Sequence, residues 1–340
     1  MKKKKKDLKI AIVNSSSFGK YFPEHIERLK RLGEVKRFEF PSDIDGKILA
    51  EKLKGFSVII ASVNPLYDKE FFRHKDYTLL ISRHGIGYNN IDLDSATEKG
   101  VIITKVPGEV EREAVAEHAV CLLMTVIRKV KEASIAVKQG RWRERAKFIG
   151  WEIKGKNVGI IGFGNIGRRV AEILKDGFST KILAYDPNLT SQEIRKYNAE
   201  PVNLEELLRK SDIISLNASL TFENYHMISD KEISLMKNGV IIVNTARGEL
   251  IDENALISAL KKGKIGGLGL DVVEGEPIGK EHPLLKFENV VITPHISAYT
   301  YECLKAMGEK VVSDVERIAS GEIPDEIINK KVLEVRKWKI

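Results

Sequence analysis

Short apolar runs alternate along the chain with segments whose apolar positions recur at helical spacing. Residues 8–13 read as a buried strand. Residues 21–32 come next with helical spacing at Ile26, Leu29 and Leu32, stopped by Gly33. Strands are predicted at 35–40, 57–62, 79–82 and 101–104, with a short helix at 48–53. Residues 113–131 form the longest helical pattern. Val115, Ala119, Leu122, Leu123, Val126 and Val130 make one stripe, and Val120, Met124 and Ile127 widen it, so this helix should be buried on more than one side. Apolar strands are then expected at 158–161, 181–185, 212–216, 240–243, 268–271 and 290–292, the last two joined by a loop with Pro277 and Pro283. A final helix is expected at 301–320, its apolar positions (Leu304, Met307, Val311, Val312, Val315, Ile318) returning it to the first domain. Strand and helix in alternation mean α/β architecture with parallel sheets.

One stretch adds chemistry to that pattern. The run 158–161 leads into Gly162-Phe163-Gly164-Asn165-Ile166-Gly167, a Gly-x-Gly-x-x-Gly that opens a helix with Ile166, Val170, Ile173 and Leu174 on one side. A second strand comes after it and ends at Asp186. That is the order a dinucleotide site needs. Gly162 permits the tight turn, Gly164 the close approach of backbone to diphosphate, and Gly167 the packing of helix on strand; the helix start attracts phosphate oxygens. Asp186 is placed to accept both hydroxyls of an adenosine ribose and to repel a 2′-phosphate, which favours NAD over NADP.

Composition narrows the class. A chain of 340 residues, 43% hydrophobic, supports two domains of ordinary size. No apolar run approaches the length of a membrane span, and no apolar signal segment comes after the start, so a cytoplasmic protein without a membrane partner is expected. The net charge is +8, of which Lys2 to Lys6 supply five, leaving +3. So mild a balance argues against a nucleic-acid partner, and the lysine run reads as a solvated tip. The two cysteines, Cys121 and Cys303, read as buried free thiols rather than a disulfide framework. Abundant lysine and glutamate with scarce glutamine hint at a thermophilic source. No Walker loop, His-Glu-x-x-His or Cys-x-x-Cys is present, so no metal site is expected. The basic stretch 330–339 reads as surface, and no further regulatory domain is expected after the last helix.

Ligands of an open parallel sheet sit outside the carboxyl ends of its strands. Three such ends carry residues that need a reason: Arg247 after 240–243, Glu276 after 268–273, and His295 after 290–292. Singly these could be a surface ion pair, a loop acid and a turn histidine. Together they suit hydride transfer between NAD and a 2-hydroxy acid. A histidine handles the proton that accompanies hydride, a carboxylate beside it favours the imidazolium, and the guanidinium fork grips a carboxylate and polarises the adjacent carbonyl. In the first domain, the loop Arg83-His84-Gly85-Ile86-Gly87-Tyr88 leaves a strand directly. It reads as a plain strand-end turn or as successive N–H groups aimed at an anion, and His84 reads as structural. Residues 140–151, with Arg141, Trp142, Arg143, Arg145 and Trp151, read as a domain-spanning loop.

The segments Gly85-Ile86-Gly87 with Asn90-Ile91-Asp92, Val115-Ala116-Glu117-His118, Gly162 to Gly167, Asn244 to Asp252, Leu270 to Pro277 and Thr293-Pro294-His295 resemble the D-isomer-specific 2-hydroxyacid dehydrogenases, in that family's order and over nearly the whole chain. The resemblance implies two doubly wound parallel-sheet domains. One is a flavodoxin-like substrate domain, discontinuous over 1–108 and 299–340; the other is a Rossmann NAD domain over 109–298. It implies that Arg247 binds the substrate's carboxylate and carbonyl, that Glu276 pairs with the histidine, and that His295 is the acid/base. Backbone N–H groups at Ile86 and Gly87 would hold the carboxylate. NAD would contact Gly162, Gly164, Asn165, Ile166, Gly167, Asp186, Thr245, Ala246, Arg247, Asp271, His295, Ser297 and Ala298. A homodimer through the long helix is implied, as is a small 2-oxo acid substrate of the glyoxylate, hydroxypyruvate, pyruvate or phosphohydroxypyruvate type. Two departures stand out: Asn217-Ala218-Ser219-Leu220-Thr221 replaces the family's usual His-x-Pro-Leu-Thr, and Asn89 replaces a common aspartate. The alternatives are an NADH-sensing scaffold or corepressor on the same fold, and a formate-type dehydrogenase. The Glu276–His295 pairing speaks against the latter, since hydride loss from formate needs no proton shuttle.

Overall fold

The computed structural model describes residues 7–335. The lysine run Lys2 to Lys6 lies outside the described residues, as do Lys337 and Lys339 of the basic stretch; Lys330 and Lys331 are exposed. The chain divides into two compact units, one running to Glu111 and resuming at Thr300, the other spanning Arg112–Tyr299.

The first unit is a five-stranded parallel sheet of β1 (Leu8–Val13), β2 (Gly33–Phe38), β3 (Val58–Ala61), β4 (Leu80–Arg83) and β5 (Ile102–Thr104). Its order, β2-β1-β3-β4-β5, is that of the flavodoxin-like doubly wound sheets. The three central strands are buried on both faces, which is why they read as continuous apolar runs. The helix Tyr301–Ser320 completes this unit. Thr300 caps its first turn by accepting from the Cys303 amide at 3.1 Å, and Gly321 ends it in the left-handed region. Its Val311, Val312 and Val315 join the core formed by Ile10, Ile12, Val58 and Ile60.

The second unit is a seven-stranded parallel sheet: β6 (Asn157–Ile161), β7 (Lys181–Tyr185), β8 (Glu200–Pro201), β9 (Ile213–Leu216), β10 (Val240–Asn244), β11 (Ile265–Leu270) and β12 (Val290–Ile292). The order is β12-β11-β10-β9-β6-β7-β8. The chain winds outward from β6 through β7 to β8, then returns to the other side of β6 and winds away through β9. The reversal puts a topological switch point between β6 and β9. The six expected strands are all present. The two-residue β8 was not expected, because a Glu-Pro pair carries no apolar signal.

Three other expectations are corrected. The long helix is two: Gly108–Ile127, then Val130–Lys138, with Lys129 between them at φ 53°. Val130 therefore leaves the buried stripe and is 52% exposed. The chain returning at Gly150–Trp151 crosses the end of the first helix, and the Trp151 amide donates to the Ile127 carbonyl at 3.1 Å, so a tertiary contact supplies the stop. Residues 140–151 do not span the two units; they lie within the second, where Trp142–Lys147 forms a 3₁₀ helix. Cys303 is buried, and burial pushes its thiol up to about 12, but Cys121 is exposed; both are free.

Candidate functional site

The parallel register explains how residues far apart in sequence share one edge. Ile161 pairs with both Tyr185 and Leu216, Leu216 with Asn244, Asn244 with Leu270, and Leu270 with Ile292. The next residue of each strand therefore falls in one row: Asp186, Gly162, Asn217, Thr245, Asp271 and Thr293. In a parallel sheet all strands exit the same way, so the loops leaving them gather along that row.

At β6 the turn has the shape a diphosphate needs. Gly162 has φ 86°, and a Cβ there would lie 2.5 Å from the Ala218 amide nitrogen. A Cβ on Gly167 would lie 2.1 Å from the Gly162 carbonyl oxygen, so the helix Asn165–Phe178 can start only against a glycine. Gly164 is the N-cap, and nothing lies within 4 Å of where its Cβ would be. A helix start whose cap has no side chain, beside open space, fits a dinucleotide's phosphates. At the departure, Asn217 Nδ2 donates to Ser215, while its Oδ1 is buried without a hydrogen-bond partner among the described residues.

Asp186 closes the row at β7. Oδ2 accepts from the Phe163 amide and Oδ1 from the Asn188 amide, both at 2.9 Å. The carboxylate is thus held in place while keeping lone pairs for ribose hydroxyls. Asp186→Ala is expected to cut the preference for NADH over NADPH by at least about tenfold, the size of one charge-assisted interaction. Comparing kcat/KM for the two cofactors checks this; a wild type that prefers NADPH would overturn the role given to Asp186.

At β10 the turn Thr245-Ala246-Arg247 is tied down by Asn244, whose part the sequence pattern did not reveal beyond its place at the strand end. Its Oδ1 accepts from the Ala246 amide at 2.9 Å, and its Nδ2 donates to the Arg247 carbonyl at 2.8 Å. The Arg247 guanidinium donates to the Ala246 carbonyl at 2.6 Å. No carboxylate pairs with it among the described residues, which removes the surface ion-pair explanation. Thr245 is buried, with its hydroxyl lacking a hydrogen-bond partner among the described residues. Gly248 lets this turn meet the next: a Cβ there would lie 2.2 Å from the Glu274 amide nitrogen.

Asp271, expected among the cofactor contacts, lies inside the fold. It is fully buried, and its oxygens accept from the Thr293 hydroxyl at 2.6 Å, the Ile296 amide at 2.9 Å and the Ser297 amide at 2.8 Å. His118 Nε2 donates to the same Thr293 hydroxyl at 2.9 Å. Asp271 therefore shapes the turn that carries His295, which has φ 54°, with Ser297 buried in that turn. His118 was visible only as part of a motif; its task needed coordinates. Burial works to raise the Asp271 carboxyl, but the donors from His118, Thr293, Ile296 and Ser297 outweigh it and hold it at about 2. The folded value lies below the ordinary 3.8, so the stabilisation is full above about pH 4 and is lost as pH falls towards 2. Asp271→Asn should cost roughly 2–3 kcal/mol at neutral pH and much less at pH 2. Melting temperature against pH for both proteins reads this out; an equal loss at both ends of the range would contradict it.

His295 Nδ1 meets Glu276 Oε1, and Glu276 Oε2 accepts from the Val273 amide at 3.3 Å. A carboxylate only accepts, so Nδ1 carries the hydrogen and Nε2 is left for chemistry. Both side chains are part-exposed, at 26% and 32%. Beside them lies a cluster that no sequence pattern signalled: Glu274 accepts from the Tyr225 hydroxyl at 2.8 Å and from His226 Nε2 at 2.9 Å. Arg247, Glu276 and His295 thus sit beyond the ends of the adjacent strands β10, β11 and β12. In the first unit, the loop after β4 places His84 in the interior. The ring packs edge-on against Phe18, and burial lowers it to about 3, so it is a neutral core residue. The Ile86 amide donates to Glu111 Oε1 at 3.0 Å.

Residues 120–297 match the family model for the D-isomer specific 2-hydroxyacid dehydrogenase NAD binding domain. The chain is 39% identical over 318 residues to a glyoxylate reductase of Thermococcus litoralis, covering 92% of this chain and 95% of that one. It is 38% identical to the glyoxylate reductase of Pyrococcus furiosus, covering 93% and 95%. Both relatives come from thermophilic archaea, in keeping with the composition. Among solved structures, D-lactate dehydrogenase from Aquifex aeolicus complexed with NAD and lactic acid superposes with a TM-score of 0.80 at 30% identity, covering 96% of this chain and 97% of that one. The chain belongs to the D-isomer-specific 2-hydroxyacid dehydrogenases and is an NAD-dependent oxidoreductase.

Proposed function

We propose that the chain reduces a small 2-oxo acid, glyoxylate foremost, to the 2-hydroxy acid, of D configuration where the carbon is chiral. The observation that carries this reading is the Glu276–His295 contact on the strand next to an Arg247 that has no counter-carboxylate among the described residues. When bound, the nicotinamide supplies the hydride. Arg247 grips the substrate carboxylate and polarises its carbonyl. His295 delivers the proton from Nε2 to the oxygen as it becomes an alkoxide, and Glu276 stabilises the imidazolium through Nδ1. Ile86 and Gly87 take part in holding the carboxylate through their backbone N–H groups. Gly162, Gly164, Asn165, Ile166 and Gly167 receive the diphosphate and Asp186 the ribose. Thr245, Ala246, Ser297 and Ala298 line the nicotinamide side, and Asp271 acts there through the turn it holds. Glyoxylate leads the substrates because it is the one named for the Thermococcus and Pyrococcus relatives.

The chain works as a homodimer in the cytoplasm. Supporting the dimer, Val130, Val137, Trp142, Ile149 and Trp151 are all half exposed or more within one stretch of the second unit, apolar side chains that a partner subunit would cover. Supporting the compartment, both cysteines are free, one of them exposed.

The test is a steady-state assay with NADH and NADPH against glyoxylate, hydroxypyruvate, pyruvate and phosphohydroxypyruvate, on protein whose mass is first measured by light scattering. Turnover of glyoxylate above the others, at twice the chain mass, supports the proposal. Tight NADH binding without turnover on any acid points to a sensing scaffold instead.

A further inference from the structure

The loop beyond β4 already holds an anion, and the chain itself provides it. Glu111 stands in the first turn of the helix Gly108–Ile127 and is 9% exposed. Its Oε1 accepts the Ile86 N–H at 3.0 Å. Arg83 lies buried beneath the same loop, its Nη1 donating to the His84 carbonyl at 2.9 Å and to the Ala61 carbonyl at 3.3 Å. A Cβ on Gly85 would come within 3.0 Å of that nitrogen, so the guanidinium sits directly against the loop backbone.

A carboxylate is buried at high cost unless donors and positive charge compensate it. Here a loop amide and the start of a helix supply part of the compensation. The Ile86 amide is also one of the two that would receive the carboxylate of a 2-oxo acid. One N–H cannot serve two carboxylates, and two like charges a few ångströms apart in a poorly screened place repel strongly.

We propose that Glu111 is the resident anion of the Gly85–Gly87 loop, and that a 2-oxo acid must displace it from the Ile86 amide to bind. Glu111 is therefore a specificity-setting residue that weakens substrate affinity without touching the hydride or proton steps. It keeps the loop ordered between turnovers and raises the threshold for weakly binding acids. This rests on the proposed role of the Ile86 and Gly87 amides in holding the substrate carboxylate.

The experiment uses the full chain as wild type, Glu111→Gln and Glu111→Asp, assayed with NADH and glyoxylate, or with pyruvate if that turns over faster. NADH affinity is measured separately by fluorescence. The expected result is a KM for the acid lower by about tenfold in Glu111→Gln, the size of one charge-assisted hydrogen bond, and lower by less in Glu111→Asp. Little change in kcat or in NADH affinity should accompany it. A purely structural Glu111 would instead lower kcat, raise KM or both. KM unchanged or raised in the variants, with the wild type active, overturns the role of Glu111 and leaves the parent reading standing. No turnover on any 2-oxo acid by the wild type overturns both. Should Glu111→Gln fail to fold, Glu111→Asp, which keeps the charge and withdraws it by one methylene, decides the matter.

Discussion

His295→Asn is expected to lower turnover of a 2-oxo acid by about 10²–10⁴-fold, the range for loss of a positioned general acid. NADH affinity should be nearly unchanged, because the sites proposed for the cofactor's phosphates and ribose lie elsewhere, at the glycine turn after β6 and at Asp186 after β7. Asparagine keeps a polar side chain of modest size and can still accept or donate near Glu276. What it cannot do is carry a proton at neutral pH. The loss should therefore fall on kcat, and stopped-flow measurement of NADH oxidation under single-turnover conditions should show the same deficit, which places it in the chemical step. Near-native turnover in His295→Asn would remove the histidine from the reaction.

Arg247→Lys is expected to lower kcat/KM by about 10²-fold, again with NADH affinity little changed. Lysine keeps the charge but replaces the planar fork by a single ammonium, so one of two parallel hydrogen bonds to a carboxylate is lost, along with the alignment of the carbonyl. A charged hydrogen bond contributes roughly 1.5–3 kcal/mol, and the upper part of that range gives the stated factor. The structure makes the test sharp. The Arg247 backbone is held by Asn244 and its guanidinium donates to the Ala246 carbonyl, with no ion pair to it among the described residues to confuse the outcome. If Arg247 served the surface alone, the substitution would move kcat/KM by less than threefold or so, as for ordinary exposed charges.

The features visible in the residues and those that were not divide along one physical line. Local order comes from local pattern. The glycine turn 162–167 between an apolar strand and an amphipathic helix, Asp186 at the end of the next strand, and the helix Tyr301–Ser320 between its threonine cap and Gly321 were all legible, because each is decided by residues a few positions apart. Arg247, Glu276 and His295 could be singled out because parallel strands must end on a common edge, and the register now shows the row beyond which they lie.

Tertiary structure decided the rest. The long apolar pattern did not reveal the break at Lys129, because the stop comes from Trp151 reaching the Ile127 carbonyl. Spacing did not show that the buried oxygens of Asp271 hold Thr293, Ile296 and Ser297, with His118 behind them. Nor could sequence show that Glu111 meets the Ile86 amide. By itself the sequence determined the alternation of strand and helix, the glycine turn and the candidate side chains at the strand ends, all functions of short-range periodicity and of strand direction. Only the folded chain decided which carboxylates are spent on internal donors and which stay open to a ligand, because hydrogen-bond partners brought together across distant segments have no signature in spacing.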